Sequence, residues 1–408
     1  MFLKKHTKNK TRLDRVAKLY LAVKFFSTLY FTYPIFYGYA SQVITPIQVG
    51  IFFSVLGVSG FIAEIPTGVI ADKYSRKFCG LFGTTMTLVA PLVVFFGHTF
   101  AAYLIASLFY GVGRAFLNGT LDSLVYDHRN VSKAAYRRVN ALEISYGQAG
   151  ILASAAAGGI LFSLSPGLPF IIEATAGLIC LVLIAYMSEQ YKGTHIKPTA
   201  SHAQHLIQSG KHLFATGYLR VTVFMGVVFS VMLGMCIQFV NEATMIEHGL
   251  EPTARGLLIS GAGIATLIIL NLFLLRVLKS DVMRLIYMGV GAVVAYGLMS
   301  IESMPLFLFG YLFWCCLNAT SSFIKLMLQD HIPGSHRSTI LSGFKTLAIL
   351  VGLGASTGTG LIVEWGHTPR IAYILFAAIA VVILLPCTLW LVIYLKKYSL
   401  TAITEEEI

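Results

Sequence analysis

A chain of 408 residues that is 56% hydrophobic and 12% charged is excluded from the soluble globular class, where about 25% of residues carry charge. Its mean hydropathy of +0.76 leaves more apolar surface than a water-soluble fold of this size can hide. The net charge of +12 invites a nucleic-acid partner, but the cations gather on one side of a series of apolar segments, which argues against one.

The chain opens on a basic stretch, Lys4-Lys5-His6-Thr7-Lys8-Asn9-Lys10. No small-residue cleavage site follows, and the next apolar run is too long for the core of a signal peptide. A bilayer needs about 20 apolar residues per helix. Segments of that kind fall at 19–40, 47–71, 78–97, 100–126, 139–163, 168–187, 218–240, 254–275, 284–301, 305–328, 339–363 and 370–395. They do not alternate as barrel strands would. The expected fold is therefore an all-α membrane protein, with twelve transmembrane helices in two six-helix bundles. Its expected parts are a basic N-terminus (1–18), a first bundle (19–187), a linker (188–217), a second bundle (218–396) and a tail (397–408).

Lys24, Arg114, Lys325 and Lys345 lie inside helices, Arg255 and Arg370 in loops on one face, and the other 24 of the 30 Lys and Arg in the termini and loops of the opposite face. By the positive-inside rule the termini and linker are expected to be cytoplasmic.

The first helix is aromatic, with Tyr20, Phe25, Phe26, Tyr30, Phe31, Tyr33, Phe36, Tyr37 and Tyr39. The second carries Glu64, about two turns from its cytoplasmic end, followed by Pro66. It then opens into a loop holding Asp72, Lys73, Arg76 and Lys77. An acid in lipid is costly and is a functional candidate by default. Glu64 and Asp122 are the expected proton-coupling residues, the alternative for Glu64 being a structural pair with Lys24 or Lys345.

In the fourth helix Arg114, Asn118 and Asp122 are four apart, which places them on one helical face. Such a stripe either meets a polar cavity or forms an ion pair between helices. In the fifth, Gly150, Ser154 and Gly158, with Gly159, form a small-residue face suited to close helix contact. Helix seven ends in Gln238, Asn241 and Glu242, and helix ten offers Asn318, Ser321, Ser322 and Lys325. A faint repeat at an offset of 200 residues pairs Arg137 with Arg337, Leu161 with Leu361, Ser154 with Gly354 and Gly158 with Gly358.

The six cysteines show no ligand or pairing spacing, so no disulfide frame and no zinc site is expected. His195, His202, His205 and His212 fall in the linker without accompanying acids or thiols, a solvated run rather than a metal site. No zincin, hydrolase-elbow or phosphate-loop signature is present, so neither an enzyme nor an ATP-driven pump is expected.

Gly68, Asp72, Arg76 and Lys77 occupy the slots of Gly-x-x-x-Asp-x-x-x-Arg-Lys, and the chain thereby resembles major facilitator superfamily transporters. With Glu64 and Pro66 included, the stretch is similar to that of clostridial-type tetracycline exporters and related bacterial permeases, with Ser75 in place of the usual Gly. The resemblance implies several roles. Asp72 would cap the start of helix eleven. Arg76 would pair with an acid closing helix four, here Asp127, and these residues with Gly68 and Lys77 would form a gating latch, the alternative being a topology-setting charge cluster. Helices one, four, seven and ten would line the cavity, making Arg114, Asn118, Tyr30, Gln238, Asn241, Asn318 and Lys325 substrate candidates. The 150–159 stretch resembles the antiporter signature Gly-x-x-x-Gly-Pro-x-x-Gly-Gly, with Ser154 and Ala155 replacing its Gly and Pro. The expected function is proton-coupled efflux of small amphipathic compounds, the alternative a proton symporter importing an anionic metabolite. A proton gradient supplies the energy and no cofactor is needed. The expected partners are a small-molecule substrate and the lipid bilayer, with no nucleic acid, for a monomer in a bacterial cytoplasmic membrane.

Overall fold

The computed structural model describes residues 14–128, 131–189, 214, 216–330 and 337–406, and the protein is all-helical. Two compact units divide it: Met1–Pro198 with Leu250–Ser260, and Thr199–Gly249 with Gly261–Ile408. The first contains α1 (Arg15–Ser27), α2 (Phe36–Ala40), α3 (Pro46–Lys73), α4 (Arg76–Gly97), α5 (Phe100–Leu117), α6 (Thr120–Asp127), α7 (Lys133–Leu164) and α8 (Leu168–Ala185). The second contains α9 (Gly217–Met235) and α10 (Asn241–Glu247). After them come α11 (Pro252–Ile269), whose start belongs to the first unit, α12 (Leu275–Val277) and α13 (Asp281–Met299). Then follow α14 (Met304–Thr320), α15 (Ser322–Asp330), α16 (Arg337–Gly366), α17 (Arg370–Ile379) and α18 (Leu385–Glu406).

Among the described residues eleven helical spans are long and apolar enough to cross a membrane. The expected first span, 19–40, is not one of them, because it is broken between Ser27 and Phe36. The local chemistry explains the break. Thr28 turns its hydroxyl onto the carbonyls of Lys24 (2.9 Å) and Phe25 (3.0 Å). Pro34 brings no amide hydrogen and disfavours helical backbone at Tyr33 before it.

The expected fourth helix is also interrupted. α5 stops at Leu117, Asn118 is extended at ψ 117, and Gly119 takes φ +73, a conformation open chiefly to glycine. Arg114, Asn118 and Asp122 therefore do not share one continuous helix face. The tenth helix breaks at Ser321, close to Asn318, which stands 200 residues after Asn118. Three further spans each contain a π turn, at Cys236–Val240, Leu270–Leu274 and Ala380–Leu384. Such turns relieve local mismatch and are frequent at functional sites.

Glycine lets backbones touch in the first unit. A Cβ at Gly83 would lie 2.7 Å from the Gly113 carbonyl, and one at Gly111 2.4 Å from that of Leu56, which clamps α5 against α4 and α3. At one end of this unit Tyr20, Leu21, Leu124, Val125, Val139 and Ile184 pack one core from α1, α6, α7 and α8. Outward positions are apolar too: Phe96 is 71% exposed, Leu164 73% and Trp365 75%. Water would penalise such a surface and a bilayer favours it.

Candidate functional site

The conspicuous polar cluster of the first unit lies where α3 passes into α4. α3 runs on through Lys73, so Asp72 and Lys73 belong to its last turn and the expected loop shrinks to Tyr74 and Ser75. Pro66 and Gly68 lie within the helix and do not end it. Ser75 caps α4 by accepting from Phe78 N at 3.0 Å, and its hydroxyl donates to Glu189. The Glu189 Oε1 accepts from the amides of Arg76 (2.7 Å) and Lys77 (3.4 Å), a carboxylate held where a helix N-terminus favours negative charge. Arg76 Nη1 donates to Asp127 Oδ2 at 2.5 Å and to the Ser123 carbonyl at 2.7 Å. Lys77 Nζ donates to the Ala185 carbonyl at 2.6 Å. The cluster thus ties the start of α4 to the ends of α6 and α8. The surroundings of Gly68 and the side chain of Asp72 lie outside the described residues, and so does the expected cap on helix eleven. Sequence reasoning missed Glu189, whose signal was an acid directly after an apolar span.

At span depth the structure redistributes the expected charges. Lys24 Nζ pairs with Glu143 at 2.5 Å, so its partner is not Glu64. Glu64 is half-buried on α3, where its carbonyl accepts from Thr67 Oγ1 at 2.9 Å. Asp122 Oδ1 accepts from the Tyr136 hydroxyl at 2.9 Å. Arg114 and Asn118 are exposed, and among the described residues Arg114 has no ion-pair partner. The Asn118 amide closes α5 on the Arg114 carbonyl at 2.9 Å. Tyr30 is half-buried in the broken stretch after α1.

A second acid went unnoticed in the sequence. Glu173 on α8 is 9% exposed. Its Oε2 accepts from Thr32 N (2.9 Å) and Thr32 Oγ1 (2.8 Å), and its Oε1 from the Tyr110 hydroxyl (2.9 Å). Its signal was available, since Leu168-Pro169-Phe170-Ile171-Ile172 precede it in an apolar run.

The small residues of α7 meet the broken first span. A Cβ at Gly150 would lie 2.3 Å from Thr28 Oγ1, and one at Gly158 2.1 Å from the Phe31 carbonyl. Ser154, between them, is fully buried and bonds its hydroxyl to the Ile151 carbonyl at 3.1 Å. Gly159 points elsewhere, with a Cβ there 2.1 Å from the Pro252 carbonyl at the start of α11.

In the second unit Gln238, inside the first π turn, accepts from Ser356 Oγ at 3.0 Å. Asn241 Oδ1 accepts from the buried Tyr373 hydroxyl at 2.8 Å, while Asn241 Nδ2 is buried without a partner. Asn318 is half-buried near the end of α14, and Lys325 is exposed on α15. Arg255, expected in a loop, lies in the first turn of α11 and is 5% exposed. Arg370 Nε and Nη2 bond Glu247 at 2.9 and 3.0 Å, and its Nη1 meets Glu302 at 2.9 Å. That hydrogen bond, with the charge behind it, holds the Glu302 carboxyl below the ordinary carboxylate range. The six cysteines are free thiols. Among the described residues no group of three or more His, Cys, Asp or Glu could hold a metal ion; the linker histidines lie outside them.

The sequence profile of the Major Facilitator Superfamily matches residues 19–347. An uncharacterized MFS-type transporter of Methanocaldococcus jannaschii is 31% identical over 81 residues, a match spanning 20% of this chain and 21% of that protein. Among solved structures, the nucleoside transporter NupG is similar at a TM-score of 0.70 and 16% identity, over 90% of this chain and 98% of that one. A D-xylose-proton symporter reaches 0.66 and 13%, over 91% and 95%. The POT family transporter PepTSo reaches 0.67 and 11%, over 95% and 99%. The all-helical spans, the cluster where α3 meets α4 and the profile match agree: this chain belongs to the Major Facilitator Superfamily and is a multi-pass membrane protein of secondary transport.

Proposed function

We propose that this chain is a proton-coupled transporter that exports small amphipathic organic compounds. The observation that carries the reading is Arg114, an exposed cation at span depth with no ion-pair partner among the described residues. Such a charge is costly unless it meets water or an opposite charge. It stands one turn after Tyr110, which reaches the aromatic stretch around Tyr30 and Thr32. A cation beside aromatic rings fits a molecule with an apolar body and an acidic head. Asn118 and Tyr30 in the first unit, and separately Gln238, Asn241, Asn318 and Lys325 in the second, are further substrate-contact candidates. Glu64 and Asp122 are candidates for proton exchange. Arg76, Lys77 and Asp127, with Gly68 and Asp72, form the gating latch. The similarity of 150–159 to the antiporter signature, with that of 64–77 to tetracycline exporters, supports efflux. The setting is a bacterial cytoplasmic membrane, with both termini cytoplasmic, a monomer, a proton gradient as energy source and no cofactor.

The second reading, import of a small anionic metabolite with protons, is favoured by Lys325, also exposed without an ion-pair partner among the described residues. Purified protein in liposomes, given a pH gradient and a panel of amphipathic acids, amphipathic cations, nucleosides, sugars and peptides, separates the two. Export predicts uphill movement of amphipathic acids against the proton flux, with Arg114→Gln raising KM. Uphill movement with the proton flux selects import. Movement of cations alone, unaffected by Arg114→Gln, removes the basis for both.

A further inference from the structure

Glu173 is a buried carboxylate that accepts three hydrogen bonds, from Thr32 and Tyr110, and among the described residues it has no ion-pair partner. Two of the donors come from one residue, Thr32, in the break between α1 and α2. A broken helix leaves backbone amides without partners, and in a membrane span each orphan is expensive. Glu173 supplies the acceptor for Thr32 N. The third donor, Tyr110, belongs to α5, one turn before Arg114. The same break is held from α7, where Gly158 abuts the Phe31 carbonyl.

The charged surroundings isolate this carboxyl. α8 packs against α4, α1 and α7. The cations of α4 sit at the other end of α8, with Lys77 on the Ala185 carbonyl at 2.6 Å. Lys24 of α1 is occupied by Glu143 of α7. That pair lies level with Cys180, whose Sγ meets the Val23 carbonyl at 3.7 Å, seven residues and about 10 Å along α8 from Glu173. From α5 the facing group is Tyr110, with Tyr30 beside it. α2 brings two titratable groups, Tyr37 and Tyr39; the Tyr39 ring packs on Phe170 at 4.6 Å and its hydroxyl reaches the Phe95 carbonyl at 3.3 Å.

We propose that Glu173 carries a transported proton, and that its protonation state sets how firmly the break in the first span is anchored to α8. The idea rests on the proton-coupled reading above and moves the coupling role from Glu64 and Asp122 to a residue tied to the aromatic stretch. The step balances simply. The carboxylate takes one proton from the medium and becomes neutral. The Tyr110 hydroxyl turns to accept the new O–H, and the bonds from Thr32 weaken as the charge leaves. Release of the proton restores the three-donor clamp.

The first test needs no substrate. Infrared difference spectra of the purified protein between alkaline and acid pH report the carbonyl band of a protonated, buried carboxyl. The expected result is a titrating band that vanishes in Glu173→Gln and persists in Glu64→Gln and Asp122→Asn. Tyr110→Phe should move the pH at which the band appears, whereas Tyr103→Phe, whose hydroxyl is buried without a partner, should not; these two keep the test decisive where Glu173→Gln fails to fold. The second test follows the amphipathic acid 1-anilinonaphthalene-8-sulfonate in proteoliposomes with an imposed pH gradient, where Glu173→Gln should lose uphill movement and keep downhill exchange. Absence of any titrating band that depends on Glu173 or Tyr110, or wild-type uphill movement by Glu173→Gln, overturns the proposal. If the wild type does not move this acid uphill while the band behaves as expected, the proton site stands and the efflux reading fails.

Discussion

Gly158 and Gly358 are partners in the 200-residue repeat, yet the structure gives an added methyl opposite consequences at the two. In a helix interior, Gly→Ala by itself gains about 1 kcal/mol. At Gly358 a Cβ meets nothing within 4 Å, so the gain should survive intact. At Gly158 the Cβ would sit 2.1 Å from the Phe31 carbonyl, where ordinary contact begins at 3.4 Å. The helix or the broken span must then retreat by about 1.3 Å, and a backbone carbonyl cannot swing aside as a flexible side chain can. Overpacking of this kind costs about 1–3 kcal/mol, and the upper end applies because the obstacle is backbone. The net expectation for Gly158→Ala is a loss of about 2 kcal/mol after the propensity gain is offset. For a unit of this size 1 kcal/mol moves the unfolding midpoint by about 2–4 °C. Thermal unfolding in detergent, followed by fluorescence, should therefore place Gly158→Ala about 4–8 °C below the wild type and Gly358→Ala about 2–4 °C above it. Shifts of the same sign and size in both variants would refute the steric argument. They would mean that α7 does not approach the first span as closely as the geometry requires.

Three further outcomes follow from particular contacts. Asp127→Asn removes the charge facing Arg76, whose side chain is 11% exposed against 39% for Asp127; partial exposure limits the loss to about 1 kcal/mol, and cysteine accessibility around Ser123 should rise. Tyr373→Phe leaves Asn241 Oδ1 without its donor in a buried site and should cost about 1–3 kcal/mol by thermal unfolding, whereas Tyr39→Phe loses only a 3.3 Å contact and should cost less. Glu302 is depressed below the ordinary carboxylate range by Arg370, and a depressed carboxyl contributes stability above its unfolded value that is lost as pH falls through its folded one. The midpoint of the wild type should therefore exceed that of Glu302→Gln at neutral pH, and the difference should fade only in the acid range below the usual carboxylate value; a difference that persists there unchanged would remove the ion pair as its cause.

Hydropathy was enough for the membrane class and for eleven of the apolar spans, because lipid admits only closed backbone hydrogen bonding, and the motif from Glu64 to Lys77 marked the family. The partnership of Arg76 with Asp127 was expected from the family resemblance, and the structure brings those two side chains together at 2.5 Å. Helix continuity was not legible. The run 19–40 is apolar throughout, but Thr28 and Pro34 break it, and Asn118-Gly119 break the fourth span inside an equally apolar stretch. Hydropathy averages over such residues, whereas the backbone responds to each one. The partners of charges were not legible either. Lys24 joins Glu143, 119 residues away, and Glu189 caps α4 from the end of α8, pairings made only when distant helices pack. Glu173 is the clearest case. Its sequence marks an acid in an apolar run, no different in kind from Glu64, and only packing places Thr32 and Tyr110 on its two oxygens. The sequence by itself determined what must lie in lipid, since transfer energy is a sum over residues. Tertiary structure decided which buried charges are neutralised and which polar groups hold the broken spans, since hydrogen bonds depend on where two chain segments meet.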